Sequence, residues 1–201
     1  MEKEKTIRQI VAGIEKRRLP ETKEILMLQD FCRDSVAHIL AARSDKTGWT
    51  TENRDILMLR TMILGDTVAH VLASHSDETG WTTEDKEILM LQNKAGVSVA
   101  HNLAQNSGKT GWAMEDKEIL MLQNKYGYSV AHWLATRSGK TGWSTEDKEI
   151  LMLQDEAGAS VAHKLAYSHL TWTTGDTELL SLINKWGNTV KDALIAKGKY
   201  K

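Results

Sequence analysis

Cysteine is nearly absent. Cys32 is the only one in 201 residues, so no intrachain disulfide can form. Long apolar runs are absent too. None exceeds the four residues of ILML, against the roughly 20 needed to span a bilayer. The opening stretch, MEKEKTIRQIVAGIEKRR, is too charged for a signal peptide and has no small-residue cleavage site. These absences point to a soluble chain in the reducing cytoplasm. Net charge is also lacking, at −1 overall. Residues 1–18 hold six Lys or Arg against three Glu, and residues 185–201 hold five Lys against Asp192. The middle is therefore acidic, which makes a poor general phosphate binder. Catalytic signatures are missing as well. There is no Gly-rich phosphate loop, no H-E-x-x-H and no Ser–His–Asp order with a nucleophile elbow, so the chain is expected not to be an enzyme.

What is present is repetition. His38, His70, His101, His132 and His163 follow one another at 32, 31, 31 and 31 residues. Trp49, Trp81, Trp112, Trp143 and Trp172 follow at 32, 31, 31 and 29. ILML returns at 25, 56, 88, 119 and 150. A period near 31 with no heptad inside it predicts an all-α fold, an α-solenoid of stacked helix–loop–helix units.

Each unit reads as two helices. The first follows a glycine turn at Gly65, Gly96, Gly127 or Gly158, residues suited to the left-handed position. Ser35, Thr67, Ser98, Ser129 and Ser160 suit its N-cap, and it runs about two to three turns. A polar loop such as RSGKTGW follows. The second helix opens at TTEDKEILML, where Thr82 with Asp85 and Ser144 with Asp147 have capping-box spacing. Pro20 fits the first helical position of the earliest copy. Ala113 breaks the cap in its copy and weakens that helix start by about 1 kcal/mol. Residues 1–201 form one repeat domain on this reading. Residues 1–30 make an N-terminal cap with Ile7, Ile10, Val11 and Ile14 on one helix face, 31–187 the repeats, and 188–201 a C-terminal cap in which Asp192 replaces histidine.

The recurring D/N-x-x-G-x-S/T-V-A-H-x-L-A resembles the start of an ankyrin repeat, whose signature is T-P-L-H-x-A-A after a glycine turn. The matching residues are Ser98, Val99, Ala100, His101, Leu103 and Ala104, with their equivalents in each copy. The likeness recurs through roughly residues 30–195. The departures are a Val at the proline position, an Ala at the leucine position, and a connector, LQNKYGYS, too short for the family's β-hairpin. The resemblance implies a divergent ankyrin-like solenoid and, with it, protein recognition without catalysis.

The histidine ladder has two readings. Zinc needs nitrogens about 2.1 Å from one metal, whereas packed helices lie about 8–10 Å apart. Equivalent histidines in neighbouring units are thus too distant to share an ion. The structural reading is preferred: each histidine bonds its N-cap hydroxyl or a nearby carbonyl, as the family's histidine does, and no metal or cofactor is expected. The tryptophans could stack nucleobases or plug the seam between loop and helices; the second fits a residue that stays fixed while its flanks vary. Met27, Met58, Met90, Met121 and Met152 read as packing.

Function is expected where the copies differ. The residue before the N-cap is Asp34, Asp66, Val97, Tyr128, Ala159 or Asn188, and the residue after histidine is Ile39, Val71, Asn102, Trp133 or Lys164. The residue before the turn glycine includes Ala95, Tyr126, Ala157 and Trp186. Tyr126, Tyr128 and Trp133 concentrate aromatics in one unit, and with Asn102 and Lys164 they form the predicted partner-binding set. The competing reading is that Trp133 simply packs on Tyr128. Phe31 and Ile39 make a weaker second patch under the lead helix. The expected activity is that of a protein-binding scaffold, adaptor or inhibitor. The alternative is single-stranded nucleic-acid binding through the Trp loops with Lys46, Lys109 and Lys140, a lysine row that Glu78 interrupts.

Overall fold

The computed structural model describes residues 2–18, 20–43, 49–75, 81–106, 116–137, 143–168 and 171–199. Most of each polar loop, including Lys46, Glu78, Lys109, Lys140, Trp112, Ala113 and His169, lies outside the described residues. The regular elements are all helical. They are α1 (Glu2–Glu15), α2 (Lys23–Leu26), α3 (Val36–Arg43), α4 (Arg54–Leu57), α5 (Val68–His75), α6 (Lys86–Leu89) and α7 (Val99–Asn106) in one compact unit, Met1–Asn106. A second unit, Ser107–Lys201, holds α8 (Lys117–Leu120), α9 (Val130–Arg137), α10 (Lys148–Leu151), α11 (Val161–Ser168), α12 (Thr177–Ser181) and α13 (Val190–Ala196). Among the described residues no helix is long and apolar enough to cross a membrane.

Each repeat pairs a short helix with a longer one. The short helix has only four residues, or five in α12, and is opened by a 3-10 turn in the copies that contain Thr51–Asn53, Thr83–Asp85 and Thr145–Asp147. So brief a helix is not self-supporting. It is held by its cap and its core contacts. The Thr82 backbone N–H donates to the Asp85 carboxylate, and the Ser144 N–H to Asp147, closing the anticipated capping boxes. The first copy departs from the expected register. Its short helix starts at Lys23, so Pro20 stands before the helix.

The core is a ladder of small and branched side chains. Val36, Val68, Val99, Val130 and Val161 are fully buried, as are the alanines that follow them. Leu57, Leu89, Leu120 and Leu151 reach in from the short helices. In the first unit the longer helices α3, α5 and α7 stack in order, and in the second α9, α11 and α13 do. Alanine on one face keeps such neighbours close. The methionine ladder behaves otherwise than predicted. Met58, Met90, Met121 and Met152 are only half-buried and Met27 is exposed, because each sits at the C-cap of its helix rather than on the core face.

The first and last helices bury different side chains. Helix α1 lays Ile7 and Val11 into the core against α3, while Ile10 and Ile14 are half-covered. At the other end α13 buries Val190, Ala193 and Leu194.

The connector that precedes each long helix is more ordered than its length suggests. A single antiparallel bridge closes it, joining Gln92 to Ser98 and Gln123 to Ser129, with equivalents in the other copies. One side chain makes so tight a turn possible. The Asn124 carboxamide oxygen accepts from the N–H groups of Tyr126 and Tyr128, and Asp30, Asn93, Asp155 and Asn184 repeat the arrangement. The remaining copy has Thr61 at that position and one residue more. There Arg60 donates to the carbonyls of Gly65 and Gln92, as Gln123 does to those of Gly127 and Gln154 in a later copy. Successive turns are also stitched to each other. The N–H of Lys94 donates to the Leu64 carbonyl, Glu156 to Tyr126, and Lys185 to Ala157.

Candidate functional site

The ladder histidines are part of the scaffold. Each is buried at the third residue of its helix. The Thr67 backbone N–H and hydroxyl both lie against Nδ1 of His70, at 3.2 and 2.7 Å, and the His70 N–H donates back to the Thr67 hydroxyl. Ser35 with His38, Ser98 with His101, Ser129 with His132 and Ser160 with His163 repeat this geometry. It is a capping box in which imidazole replaces the usual carboxylate. Accepting at Nδ1 leaves the proton on Nε2. That atom donates to a carbonyl of the following repeat: His70 to Val97, His132 to Ala159, His163 to Asn188. Burial holds the His38, His70 and His163 rings below the ordinary histidine pKa, keeping them neutral. Asp192 occupies the same position in α13, and its carboxylate accepts from the Thr189 N–H and hydroxyl. Among the described residues no three His, Cys, Asp or Glu side chains gather as a metal site.

The ladder tryptophans are buried where they are described, apart from Trp172, which is half-buried. Trp49, Trp81 and Trp143 are all under a tenth exposed, so they present no face on which a base could stack. The Trp49 indole N–H donates to Glu21, tying the loop to the preceding copy. Carboxylates at the starts of the short helices serve similarly. Lys23 pairs with Asp55, Arg54 with Glu87, Lys117 with Glu149, and Lys148 with Asp176 and Glu178. These exposed pairs stabilise little individually. They do set the register between short helices of successive repeats.

The predicted binding residues divide. In the second unit, Tyr128, Trp133 and Lys164 come together. The Tyr128 ring meets Trp133 edge-on at 5.2 Å and lies tilted over His132 at 4.9 Å. The Lys164 ammonium sits 4.8 Å above the Tyr128 ring and 3.4 Å from Asp155. Tyr128, Trp133 and Lys164 are half-buried, so much of their surface is used on one another. Tyr126 is the exposed member, at 63%, at the tip of the same turn. Its backbone is fixed on both sides, by Asn124 and by the N–H of Glu156, while the ring stands in solvent. Asn102 belongs to the first unit. Its amide donates to the His70 carbonyl and fastens α7 to α5.

Other apolar groups are exposed too. Trp186 is 66% exposed, with Lys185 beside its ring. Phe31 is 75% exposed, so the lead helix does not cover it as expected. Ile63 and Leu64 are also exposed. Their signal was the 32-residue step from His38 to His70, one residue longer than the later steps.

No family model matches the sequence, and no curated protein matches it. Its fold does have counterparts among solved structures. One is the ankyrin repeat domain of Bcl-3, described as a unique member of the IkappaB protein family. That domain aligns over 94% of this chain and 90% of its own, at 14% identity and a TM-score of 0.52. At that identity the likeness is one of fold. The pairs of short and long helices agree with it, and the chain has an ankyrin-like helical repeat fold.

Proposed function

We propose that the chain is a non-catalytic protein-recognition scaffold, acting in the cytoplasm, whose contact surface in the second unit centres on Tyr126, Tyr128, Trp133 and Lys164. The observation that supports this is the pairing of a solvent-facing ring on a rigid backbone with a packed aromatic cluster beside it. Tyr126 brings a large amphipathic ring with little conformational freedom to lose. Tyr128, Trp133 and Lys164 are already held by their own contacts, which lowers the entropy lost on binding. Covering a partner's surface in this way makes an inhibitor; joining two partners makes an adaptor. The reading as a single-stranded nucleic-acid binder is disfavoured by the buried indoles of Trp49, Trp81 and Trp143.

The test is a photo-crosslinking amino acid at position 126 and, as a control, at the exposed position 191 in the native host. A discrete protein adduct from 126, absent from 191 and lost on Trp133→Ala, supports the reading. Adducts of equal yield from both positions, or none from 126, end it.

A further inference from the structure

The first unit holds a cavity of about 510 Å³ between α3 and α5, a size within the range of pockets that hold a ligand group. Its walls are apolar: Ile39 and Val71 from the two helices, Ile63 and Leu64 from the turn 61–66. Two carboxylates, Asp34 and Asp66, also line it. This combination is confined to the first two copies. The position before the N-cap is acidic only at Asp34 and Asp66; the later copies carry Val97, Tyr128, Ala159 and Asn188. The position after histidine is aliphatic only at Ile39 and Val71; later it is Asn102, Trp133 and Lys164. The extra residue of the second turn, with Thr61 at its start, is what brings Ile63 and Leu64 to the rim.

The charges do not cancel within the cavity. Arg43 is its one guanidinium, and that group already pairs with Glu15 of α1. Asp66 accepts from the amide of Asn93, a partner that brings no positive charge. The Asp34 carboxylate makes no hydrogen bond or ion pair among the described residues. Burial, with Asp30 nearby, pushes its pKa up, the signature of a carboxylate short of a counter-charge. His38 cannot supply that charge, because its Nδ1 is taken by Ser35 and its ring is held neutral. Of the other lining groups, the Cys32 thiol carries no positive charge in either state, and His75 turns Nδ1 to the Val71 carbonyl of its own helix.

From this geometry we infer that the groove between α3 and α5 receives a segment of a partner protein in which an aliphatic side chain lies next to a lysine or arginine. The aliphatic group fills the space between Ile39, Ile63, Leu64 and Val71, and the cation sits between Asp34 and Asp66. This inference rests on the reading of the chain as a protein binder, but its residues and its test are separate from those around Tyr126.

The experiment uses the full chain with methyl-labelled isoleucine and valine, titrated with acetyl-Ile-Lys-Ile-amide and acetyl-Ile-Glu-Ile-amide. The lysine peptide is expected to shift the Ile39, Ile63 and Val71 methyls saturably, at least tenfold more tightly than the glutamate peptide. The double change Asp34→Asn with Asp66→Asn removes that preference while leaving the thermal melt in place. Should the double variant fail to fold, Ile63→Ser, at an exposed position, is expected to weaken the lysine peptide at least fivefold. Equal affinity for the two peptides, no saturable shift, or hexylammonium binding as tightly as the lysine peptide overturns the proposal. The crosslinking result at position 126 bears on none of these outcomes, so the two readings fail independently.

Discussion

Nε2 of His70 lies 3.0 Å from the carbonyl oxygen of Val97, 27 residues further along the chain. The same ring closes the cap of its own helix through Nδ1. One side chain therefore performs two structural tasks, local at one nitrogen and between repeats at the other. That division of labour fits the recurrence of histidine from His38 to His163; in α13 Asp192 serves the local task.

The first prediction concerns acid. His38, His70 and His163 are held below the usual histidine value by burial. An unfolded chain takes up protons on these rings at about pH 6.5, before the folded chain does. Their contribution is thus fully present above that pH and is lost as pH falls from about 6.5 toward the depressed folded values. The melting temperature should drop between pH 7.5 and 5. Asp55, Asp176 and Asp192, which are held low, lose their contribution only in a more acidic range. A flat melting temperature from 7.5 to 5 would contradict the neutral, doubly bonded ladder.

The second prediction separates the two tasks of the ring. In His70→Asn the carboxamide oxygen can accept from the Thr67 N–H, as Asn53 accepts from Thr50. The bond to Val97 is lost, and so is a fully buried ring. A loss of about 2–4 kcal/mol is expected from the hydrogen bond and the cavity together. The pH slope of stability should shrink in the same variant. Chemical denaturation at pH 7.5 and 5.5 reads both effects.

Much of this was legible because repetition isolates the variables. The caps at Thr82 and Ser144, the buried tryptophans and the helix pairs follow from spacing and residue type. The methionines misled because ILML is uniformly apolar, and only the end of the helix at Leu89 decides that Met90 turns outward. The bridge before each long helix was hidden because in most copies a single side chain, such as Asn124, replaces the ladder bonds a longer hairpin would have. Among the binding residues, Asn102 could not be told from a contact residue by variability. It varies between copies and yet bonds inward to His70.

The third prediction concerns the turns. Gly127 adopts φ +70°, and a Cβ there would lie 3.1 Å from backbone atoms of Asp155 and Glu156. Gly127→Ala combines left-handed strain with a backbone clash, and should cost more than the roughly 1 kcal/mol of the strain alone. Arg33 occupies the corresponding position of the first copy at φ +61°. Arg33→Gly should stabilise the chain by up to about 1 kcal/mol, since relief of strain outweighs the added freedom of the unfolded state. Opposite signs at equivalent positions, measured by thermal melts, would confirm the shared geometry.

The fourth prediction tests whether the aromatic cluster is surface or core. Trp133 meets Tyr128 at 5.2 Å with both rings half-buried, so the pair contributes about 0.5–1.5 kcal/mol beyond its buried area. Tyr126 touches solvent over most of its surface and closes no cap with its ring. Tyr126→Ala should therefore change stability by less than about 0.5 kcal/mol. Trp133→Ala should destabilise by about 1–3 kcal/mol, through lost ring contact and a partial cavity. A double-mutant cycle with Tyr128→Ala isolates the coupling, which should be near 1 kcal/mol. If Tyr126→Ala melts as low as Trp133→Ala, the ring at the turn tip is structural, and the proposed contact surface loses its exposed member.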